Sequence, residues 1–391
     1  MALNSSFKNK ITILLVPLLG VFGCTEPFTA PTEDFENILV IDALITTEEK
    51  FQEINLSRTF LFGAEFEAES RATVQITGND NSVYSFTEEE PGQYFSNTAF
   101  GAVPGVQYSL SVDTEAGDSF IGGPISVDQA AELEDVRAVT STTEEGEEGI
   151  AIIADGFDPS GEAAFYRYDY VETFKIISVA NPQFDLVVAS ENPPLLERVP
   201  KTRQENICFR TQFSNAILIT SSENLNESRI ENFQVRFIPK TAFELRTRYS
   251  ILVNQYVQSR TAQAFYEDLR DFSNVQTVFA QTQPGFIIGN IISDNGSATR
   301  VLGLFEVSQV SSKRIFLEYD DFFSDGRIPD FIIDCPVIMG GSSDPILFDF
   351  IKRRTHKYRS DGDPTGFVIS PIGCIDCTIY GSNVEPDFWE D

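Results

Sequence analysis

The chain has 391 residues, and its 59 acidic and 28 basic side chains give a formal net charge of −31. A protein this acidic repels nucleic acid and anionic lipid headgroups, which excludes a role in nucleic-acid binding. Its hydrophobic content of 42% is enough for two or three domains of roughly 150 residues each, and its 34 Phe and 12 Tyr favour strands.

The first 23 residues have the pattern of a secretory signal peptide. Two lysines precede an apolar run from Ile11 to Phe22, which is shorter than the roughly 20 apolar residues that a membrane-spanning helix needs. The run ends in Val21-Phe22-Gly23-Cys24, which is similar to a bacterial lipobox, so we predict cleavage before Cys24 and a covalent lipid on its thiol. The alternative is an ordinary signal peptide in which Cys24 is incidental. Residues 24–35 are rich in Pro and Thr and are predicted to be a flexible tether, so the lipid alone would hold the protein to a membrane.

Residues 36–122 are predicted to form an N-terminal β-sandwich. Short strands recur about every ten residues with turn signals between them, a pattern typical of immunoglobulin- or transthyretin-like domains. The clearest strand follows the turn Pro104-Gly105, where Val106 to Val112 alternates apolar and polar side chains. This stretch and Pro91 to Tyr94 also resemble carboxypeptidase-regulatory-like domains, which are binding modules.

Residues 123–149 are polar and weakly patterned, and we predict a linker there. Residues 150–391 are predicted to form a second, larger β-sandwich domain with a helix-containing insertion. The helix is indicated by an apolar stripe with helical spacing, and we expect it to pack on the sandwich; its members are Ala262, Phe265, Tyr266 and Leu269. The segment 177–206 is expected to be an irregular excursion. The predicted fold class is therefore mainly β.

One predicted strand has two different faces. Between residues 164 and 170, Phe165, Arg167 and Asp169 alternate with three tyrosines. We expect the tyrosine face to pack into a core, and the alternative is that it lines a binding surface.

Four cysteines follow Cys24, and they are Cys208, Cys335, Cys374 and Cys377. An even number in an exported chain favours disulfides, although three connectivities are open. The CxxC spacing of the last two is also found in zinc and redox sites. Zinc would need two further ligands, and redox chemistry favours a first cysteine that opens a helix, whereas a Pro-Ile-Gly turn precedes this one. We therefore predict structural disulfides.

No catalytic constellation is recognisable. The only histidine, His356, lies in the basic run 352–359, where neighbouring cations oppose its protonation, so a catalytic triad is not expected. The run itself is either a solvated face or a docking site for an acidic partner. The oxygen-rich turns 320–326 and 361–363 suit calcium, but carboxylates also favour turns for backbone reasons, so we predict no metal and no cofactor besides the lipid. Among 59 acids, no pair stands out as the two carboxylates of a glycosidase.

The C-terminal pattern Gly373 to Cys377, followed by Gly381 to Trp389, resembles the ending of a Bacteroidota lipoprotein family known as domain of unknown function 4249. Other stretches resemble it in the same order along the chain, namely residues 24–28, 56–59, 207–210, 248–251, 289–291, 301–306 and 312–315. The resemblance implies an outer-membrane lipoprotein, often encoded beside a TonB-dependent outer-membrane transporter. It implies no catalytic residues.

We therefore expect a lipid-anchored protein on the exterior face of the outer membrane, which acts as a binding subunit of a TonB-dependent β-barrel. One alternative is a structural subunit of an outer-membrane protein assembly or export machine. The other is a hydrolase that acts on glycan or peptide.

Overall fold

The computed structural model describes residues 37–59, 67–127, 130–274, 287, 289–294, 300–324, 327–362 and 366–390. The predicted signal peptide, the tether and Cys24 lie outside the described residues.

Strands dominate the described part of the chain, which confirms the mainly β prediction. The first half contains β1 Leu39–Thr46, β2 Glu53–Arg58, β3 Glu67–Ala68, β4 Thr73–Gly78, β5 Val83–Glu90, β6 Gln93–Ser96, β7 Gln107–Asp113, β8 Ser119–Ser126, β9 Glu132–Thr142, β10 Glu148–Phe157, β11 Phe165–Ile177, β12 Phe184–Glu191 and β13 Pro194–Pro200. The second half contains β14 Ile207–Phe213, β15 Leu218–Ser221, β16 Arg229–Pro239, β17 Tyr249–Gln258, β18 Ile291–Ser293, β19 Val301–Ser308, β20 Val310–Leu317, β21 Ile338–Gly340, β22 His356–Gly362 and β23 Gly366–Pro371. The α-helices among the described residues are α1 Arg260–Asn274 and α2 Pro345–Lys352, and short 3-10 helices cover Phe243–Arg246, Tyr319–Asp321, Ile372–Cys374 and Cys377–Ile379.

The first sheet has ten strands in the order β18-β8-β7-β4-β5-β6-β2-β1-β19, with β3 paired to β2. It curls into a nearly closed barrel, and its two ends approach each other at Asn290. The Asn290 side chain donates to the carbonyl oxygen of Phe305 (2.7 Å) and accepts from the amide of Phe305 (2.8 Å). Alternate side chains of each strand fill the interior, as Tyr108, Leu110 and Val112 do on β7. This core is the first of two large ones.

Two strands of this sheet come from far along the chain. β18 pairs antiparallel with β8, and β19 pairs in parallel with β1 from Leu39↔Val301 to Thr46↔Ser308. The sheet therefore combines residues 39–126 with residues 291–308, although the sequence pattern places those two segments in different predicted domains.

A three-stranded sheet (β16-β10-β9) and a five-stranded sheet (β14-β11-β17-β20, with β15 on β11) share the second core. Tyr166, Tyr168 and Tyr170 of β11 are buried in it, which confirms the core interpretation of the tyrosine face. Residues 123–149, expected as a linker, include β9, because Leu133 and Val136 of that strand are buried in the same core.

A smaller third layer lies near the C-terminus. The segment expected to be irregular, 177–206, instead contains the hairpin β12-β13, which packs with α2 and the sheet β21-β23-β22. Leu186 and Leu196 of the hairpin are buried against Leu347 and Ile351 of α2, so the hairpin forms because its apolar side chains find a partner distant in sequence.

The predicted helix is confirmed as α1. Ser259 caps it by accepting a hydrogen bond from the amide of Ala262 (3.1 Å), and the predicted stripe packs on the outer face of β19. Neither α1 nor any other described helix combines the length and apolar character needed to cross a bilayer.

Candidate functional site

A cavity of about 590 Å³ lies between the outer face of the ten-stranded sheet and the five-stranded sheet with α1. We call it the junction pocket. Ligand pockets in proteins typically have volumes of about 300–1,000 Å³, so the size suits a small molecule or a short oligomer.

The floor of the junction pocket is the outer face of β2, β1 and β19. Odd-numbered side chains of β1 point into the first core, so even-numbered ones, among them Asp42 and Leu44, point outward. β2 adds Glu53 to this face, and the parallel pairing with β19 places Glu306 beside Leu44. Three carboxylates therefore share one outer face; Asp42 and Glu53 line the junction pocket, and Glu306 lines a smaller neighbouring cavity.

The facing wall comes from β11 and α1. Because the three tyrosines of β11 point into the second core, Arg167 and Asp169 point to the opposite side, into the junction pocket. On α1, Phe265, Tyr266 and Leu269 line the same wall. The strand period and the helix period thus bring one cation, one further acid and three large apolar or aromatic side chains to this surface.

Arg167 is held mainly by rings and carboxylates. Its guanidinium carbon lies 4.3 Å from the ring centroid of Tyr256, its cross-strand partner on β17, and 5.1 Å from that of Tyr266. Its Nη1 lies 3.6 Å from Oδ2 of Asp169, and Oδ1 of the same carboxylate accepts a hydrogen bond from Asn254 (2.7 Å). Cation–π contacts of this kind stabilise a desolvated guanidinium by about 1–2 kcal/mol each.

Arg167 makes no hydrogen bond with any residue that the structure describes, although only 14% of its side chain is exposed and its Nε is fully buried. Burial alone would lower the pKa of this guanidinium, but electrostatic interaction with Tyr266, Glu306 and Asp169 outweighs it and raises the pKa above its ordinary value. A guanidinium carries five N–H donors in a rigid fork. Those donors are charged and free to pair with an acceptor that enters the pocket.

Two carboxyl groups near Arg167, those of Asp42 and Glu306, have pKa values above their ordinary range. Desolvation by the surrounding protein raises the pKa of Asp42, although the side chain is exposed to solvent at the pocket surface; Arg167 opposes the shift, and Glu53 adds to it. Burial also raises the pKa of Glu306, against the attraction of Arg167 and hydrogen bonds from Ser308 and other neighbours. Asp42 accepts no hydrogen bond within the described part of the chain. These carboxylates are therefore short of positive partners.

Glu306 is 5% exposed, and its two oxygens differ. Oε1 accepts from Ser308 (2.8 Å) and from Gln258 (3.3 Å), whereas Oε2 has no hydrogen-bond partner among the described residues. A buried oxygen without a hydrogen-bond partner lowers the stability of the fold. This side of the junction is therefore polar, with one acceptor left without a donor among the described residues.

The rest of the pocket surface is both apolar and polar. Besides the α1 side chains, the apolar lining consists of Val40, Ile41, Leu44, Phe51, Leu302 and Leu304. The polar lining adds Thr46, Gln52, Asn55 and Lys50, whose ammonium group is paired with Glu48 at 3.2 Å. Phe51 is 59% exposed, so an apolar side chain at the mouth of the pocket is open to solvent. The arrangement offers apolar surface together with charges of both signs.

Residues 25–314 match the family described as domain of unknown function (DUF4249). The chain belongs to this family. The segment that matches DUF4249 includes every residue that lines the junction pocket, whereas three of the four described cysteines lie beyond it. No curated protein is significantly similar to this DUF4249 chain.

The four described cysteines form two disulfides, Cys208–Cys377 and Cys335–Cys374, with Cα–Cα distances of 5.7 and 5.8 Å. The structure thus selects one of the three open connectivities. Both cysteines of the CxxC pair are bonded to distant partners, because the turn around Cys374 directs them to different elements. None of these four cysteines lines the junction pocket, and Cys208 and Cys377 are buried in the second core.

The basic run is tied into this layer as well. Lys357 donates to Glu205 and to Asp376 (3.1 Å), and the ring of His356 packs on Phe350 with a centroid distance of 4.1 Å. Burial lowers the pKa of His356, so the imidazole favours its neutral form.

Two acids of the oxygen-rich turns are engaged by the protein. Asp361 accepts from Nη1 of Arg198 through both oxygens (2.6 and 2.7 Å), and Asp321 accepts from the amide of Glu318 (3.2 Å). Asp325, Gly326 and Asp363 lie outside the described residues.

Sequence patterns pointed to neither Asp42 nor Glu306. Each is a single acid in a strongly apolar strand, Leu39–Thr46 and Val301–Ser308. A lone acid in an otherwise apolar strand is the signal that could have identified them, because a carboxylate on such a surface needs a partner or a polar cavity. Arg167 carries a similar signal, because it is a charged side chain on the face of β11 that lies opposite the three buried tyrosines.

Proposed function

We propose that this DUF4249 protein is a ligand-binding accessory lipoprotein of the outer membrane, which works beside a TonB-dependent β-barrel. The observation that carries the binding role is Arg167, an enclosed guanidinium without a hydrogen-bond partner in the described chain, on the wall of a 590 Å³ pocket. Buried N–H donors without a hydrogen-bond partner cost stability, and an acceptor group of a bound ligand would offset that cost.

The membrane location is supported by the N-terminal sequence. The signal-peptide pattern and the lipobox ending in Cys24 favour a lipid anchor, and a tether over residues 24–35 would reach about 40 Å at roughly 3.5 Å per residue. That reach would let the folded body stand at the exterior surface and still contact a barrel. The resemblance to a family often encoded beside TonB-dependent transporters supports the choice of partner.

Binding rather than catalysis is favoured by the side chains present. The described residues that line the junction pocket include no His, Cys or Ser, so no nucleophile is paired there with an imidazole base. The remaining chemistry is that of a carboxylate pair, which is the basis of the hydrolase alternative.

We also infer that the two large cores belong to two sandwich-like domains of immunoglobulin or transthyretin type. The separate clusters of buried side chains, one inside the ten-stranded sheet and one between the other two sheets, support this division. The junction pocket lies between them, where domain interfaces commonly place ligand sites.

The test is a mild-detergent pull-down of the tagged full-length protein from native outer membranes, with partners identified by mass spectrometry. Recovery of one TonB-dependent barrel in near-equal amount is the expected result. Recovery of the barrel-assembly or export machinery would favour the structural-subunit alternative, and recovery of no partner would refute both.

Two variants sharpen this experiment. The Cys24→Ser variant should be found in the soluble fraction and not with the membranes, because it lacks the thiol that would carry the lipid. Arg167→Met should remain in the membrane and retain the barrel, because Arg167 lies inside a pocket and not on the outer surface. Hydrolysis of glycan or peptide that is lost in Asp42→Asn would instead establish an enzyme.

A further inference from the structure

The charges of the junction pocket restrict the class of ligand. Arg167 already has Asp169 at 3.6 Å and interacts electrostatically with Glu306 and Asp42. A purely anionic ligand would therefore bring its charge close to several carboxylates. A purely cationic ligand would suit those carboxylates but would leave the N–H donors of Arg167 without an acceptor.

A neutral polyol also fits poorly. Hydroxyl groups could pair with Arg167 and Asp42, but a sugar carries hydroxyls around its whole ring. Much of the remaining surface is aliphatic, including Val40, Leu302 and Leu304, and hydroxyls facing it would lose water without gaining a partner.

A dipolar ligand with an apolar body would pair with the donors of Arg167, with the carboxylates and with the aliphatic surface at the same time. A carboxylate matches the planar fork of a guanidinium and can accept two parallel hydrogen bonds from it. An ammonium group would supply a positive partner for Asp42 and Glu53, neither of which forms an ion pair with a residue that the structure describes. Aliphatic side chains between the two ends would cover Leu44 on the floor and Leu269 on α1.

We propose that the junction pocket binds short apolar peptides with free termini, with the C-terminal carboxylate on Arg167 and the N-terminal ammonium against Asp42 and Glu53. This inference rests on the proposed binding function and names its ligand class. The volume of about 590 Å³ accommodates a ligand of this size.

The experiment is calorimetric titration of the full-length lipoprotein in detergent with four probes: trileucine, N-acetyl-trileucine, trileucine amide and maltotriose. Trileucine is expected to bind, and blocking either terminus is expected to weaken binding at least about tenfold, as loss of one charge-assisted contact does. These comparisons change only the ligand, so they do not depend on the folding of any variant.

Protein variants then assign each terminus to its contact. Asp42→Asn should weaken trileucine binding at least about tenfold but leave the acetylated peptide unaffected, because both changes remove the same interaction. Arg167→Lys keeps the charge but lacks the planar guanidinium, so it should weaken the binding of trileucine more than the binding of trileucine amide. Arg353→Met is the matched control, since that arginine, directly after α2, is 70% exposed and does not line the pocket.

Equal affinity for trileucine and both blocked peptides would overturn the proposal, as would failure of trileucine to bind. Binding of maltotriose without peptide would overturn the ligand class while leaving the binding function intact. The pull-down tests the accessory role independently of the titration. If no TonB-dependent barrel is recovered with the protein, that role is refuted, whichever probe binds.

Discussion

Replacing Cys208 and Cys377 by alanine should release the C-terminal segment from the five-stranded sheet. Cys208 lies on β14 at the edge of that sheet, and Cys377 begins a 3-10 helix; both are fully buried. Next to the disulfide, the amide of Phe209 donates to the carbonyl of Ser382 (2.7 Å) and the amide of Ser382 donates back (2.9 Å). The covalent bond thus secures a short backbone pairing at a sheet edge.

The size of the effect follows from the loop that the disulfide closes. Its cysteines are 169 residues apart, and the chain-entropy relation gives about 5 kcal/mol of stabilisation for a loop of that length. The disulfide Cys335–Cys374 closes 39 residues, for which the same relation gives about 4 kcal/mol. We therefore expect the double variant of the longer loop to lose more free energy of unfolding.

The protein contains its own reporter for this release. Trp389 is the only tryptophan, it is 8% exposed, and its ring lies 4.9 Å from that of Phe209 and 5.7 Å from that of Phe316. In urea denaturation, C208A/C377A should show a red shift of Trp389 fluorescence before the far-ultraviolet circular dichroism changes. The wild-type protein should show both transitions together.

The variant C335A/C374A is the control, because it removes a disulfide that does not touch β14. It should be less stable than wild type while Trp389 remains docked until the main transition. The reasoning would be refuted if C208A/C377A unfolded at the wild-type urea concentration, or if Trp389 moved first in the control.

Three further changes test the sheet and the pocket. The folded-state pKa of Glu306 lies above its ordinary value of 4.5, so its stabilising contribution is present below that pH and is lost as the pH rises through the folded-state pKa. Glu306→Gln should flatten the resulting decline of Tm at pH values above 4.5, and parallel curves of Tm against pH for the variant and the wild type would contradict this. A methyl group at Gly303 would lie 2.3 Å from a carbonyl oxygen of β1, so Gly303→Ala should cost about 1–3 kcal/mol in urea denaturation, while Gly341→Ala, with nothing within 4 Å, should match wild type. Asn290→Ala leaves the amide and the carbonyl of Phe305 unpaired, at about 1–3 kcal/mol each, and should accelerate hydrogen exchange at Phe305; unchanged exchange would show that the sheet ends do not depend on this side chain.

Several local features were predictable because they depend on neighbours in sequence. The alternation in Val106 to Val112 became β7, and the stripe of Ala262, Phe265, Tyr266 and Leu269 became α1. The tyrosine face of β11 became core. Each inference needs only the period of a strand or a helix, which a single segment carries in itself.

The hairpin β12-β13 shows where local pattern was insufficient. Two Asn-Pro signals suggested an irregular excursion, yet Leu186 and Leu196 are buried against α2, more than a hundred residues away. Strand formation there depends on a surface that the segment does not contain, and strand preferences are known to follow such packing.

The sequence alone determined that this protein is acidic, rich in strands and built around alternating apolar faces, and it singled out the tyrosine face and the cysteines. Only the tertiary structure decided which cysteines pair and that Asp42, Glu53 and Arg167 meet at one pocket. The physical reason is that alternation assigns a side chain to a face, whereas the pairing of β1 with β19 joins strands more than 250 residues apart. Such pairing is selected by the total surface that the whole chain buries, and no local pattern records it.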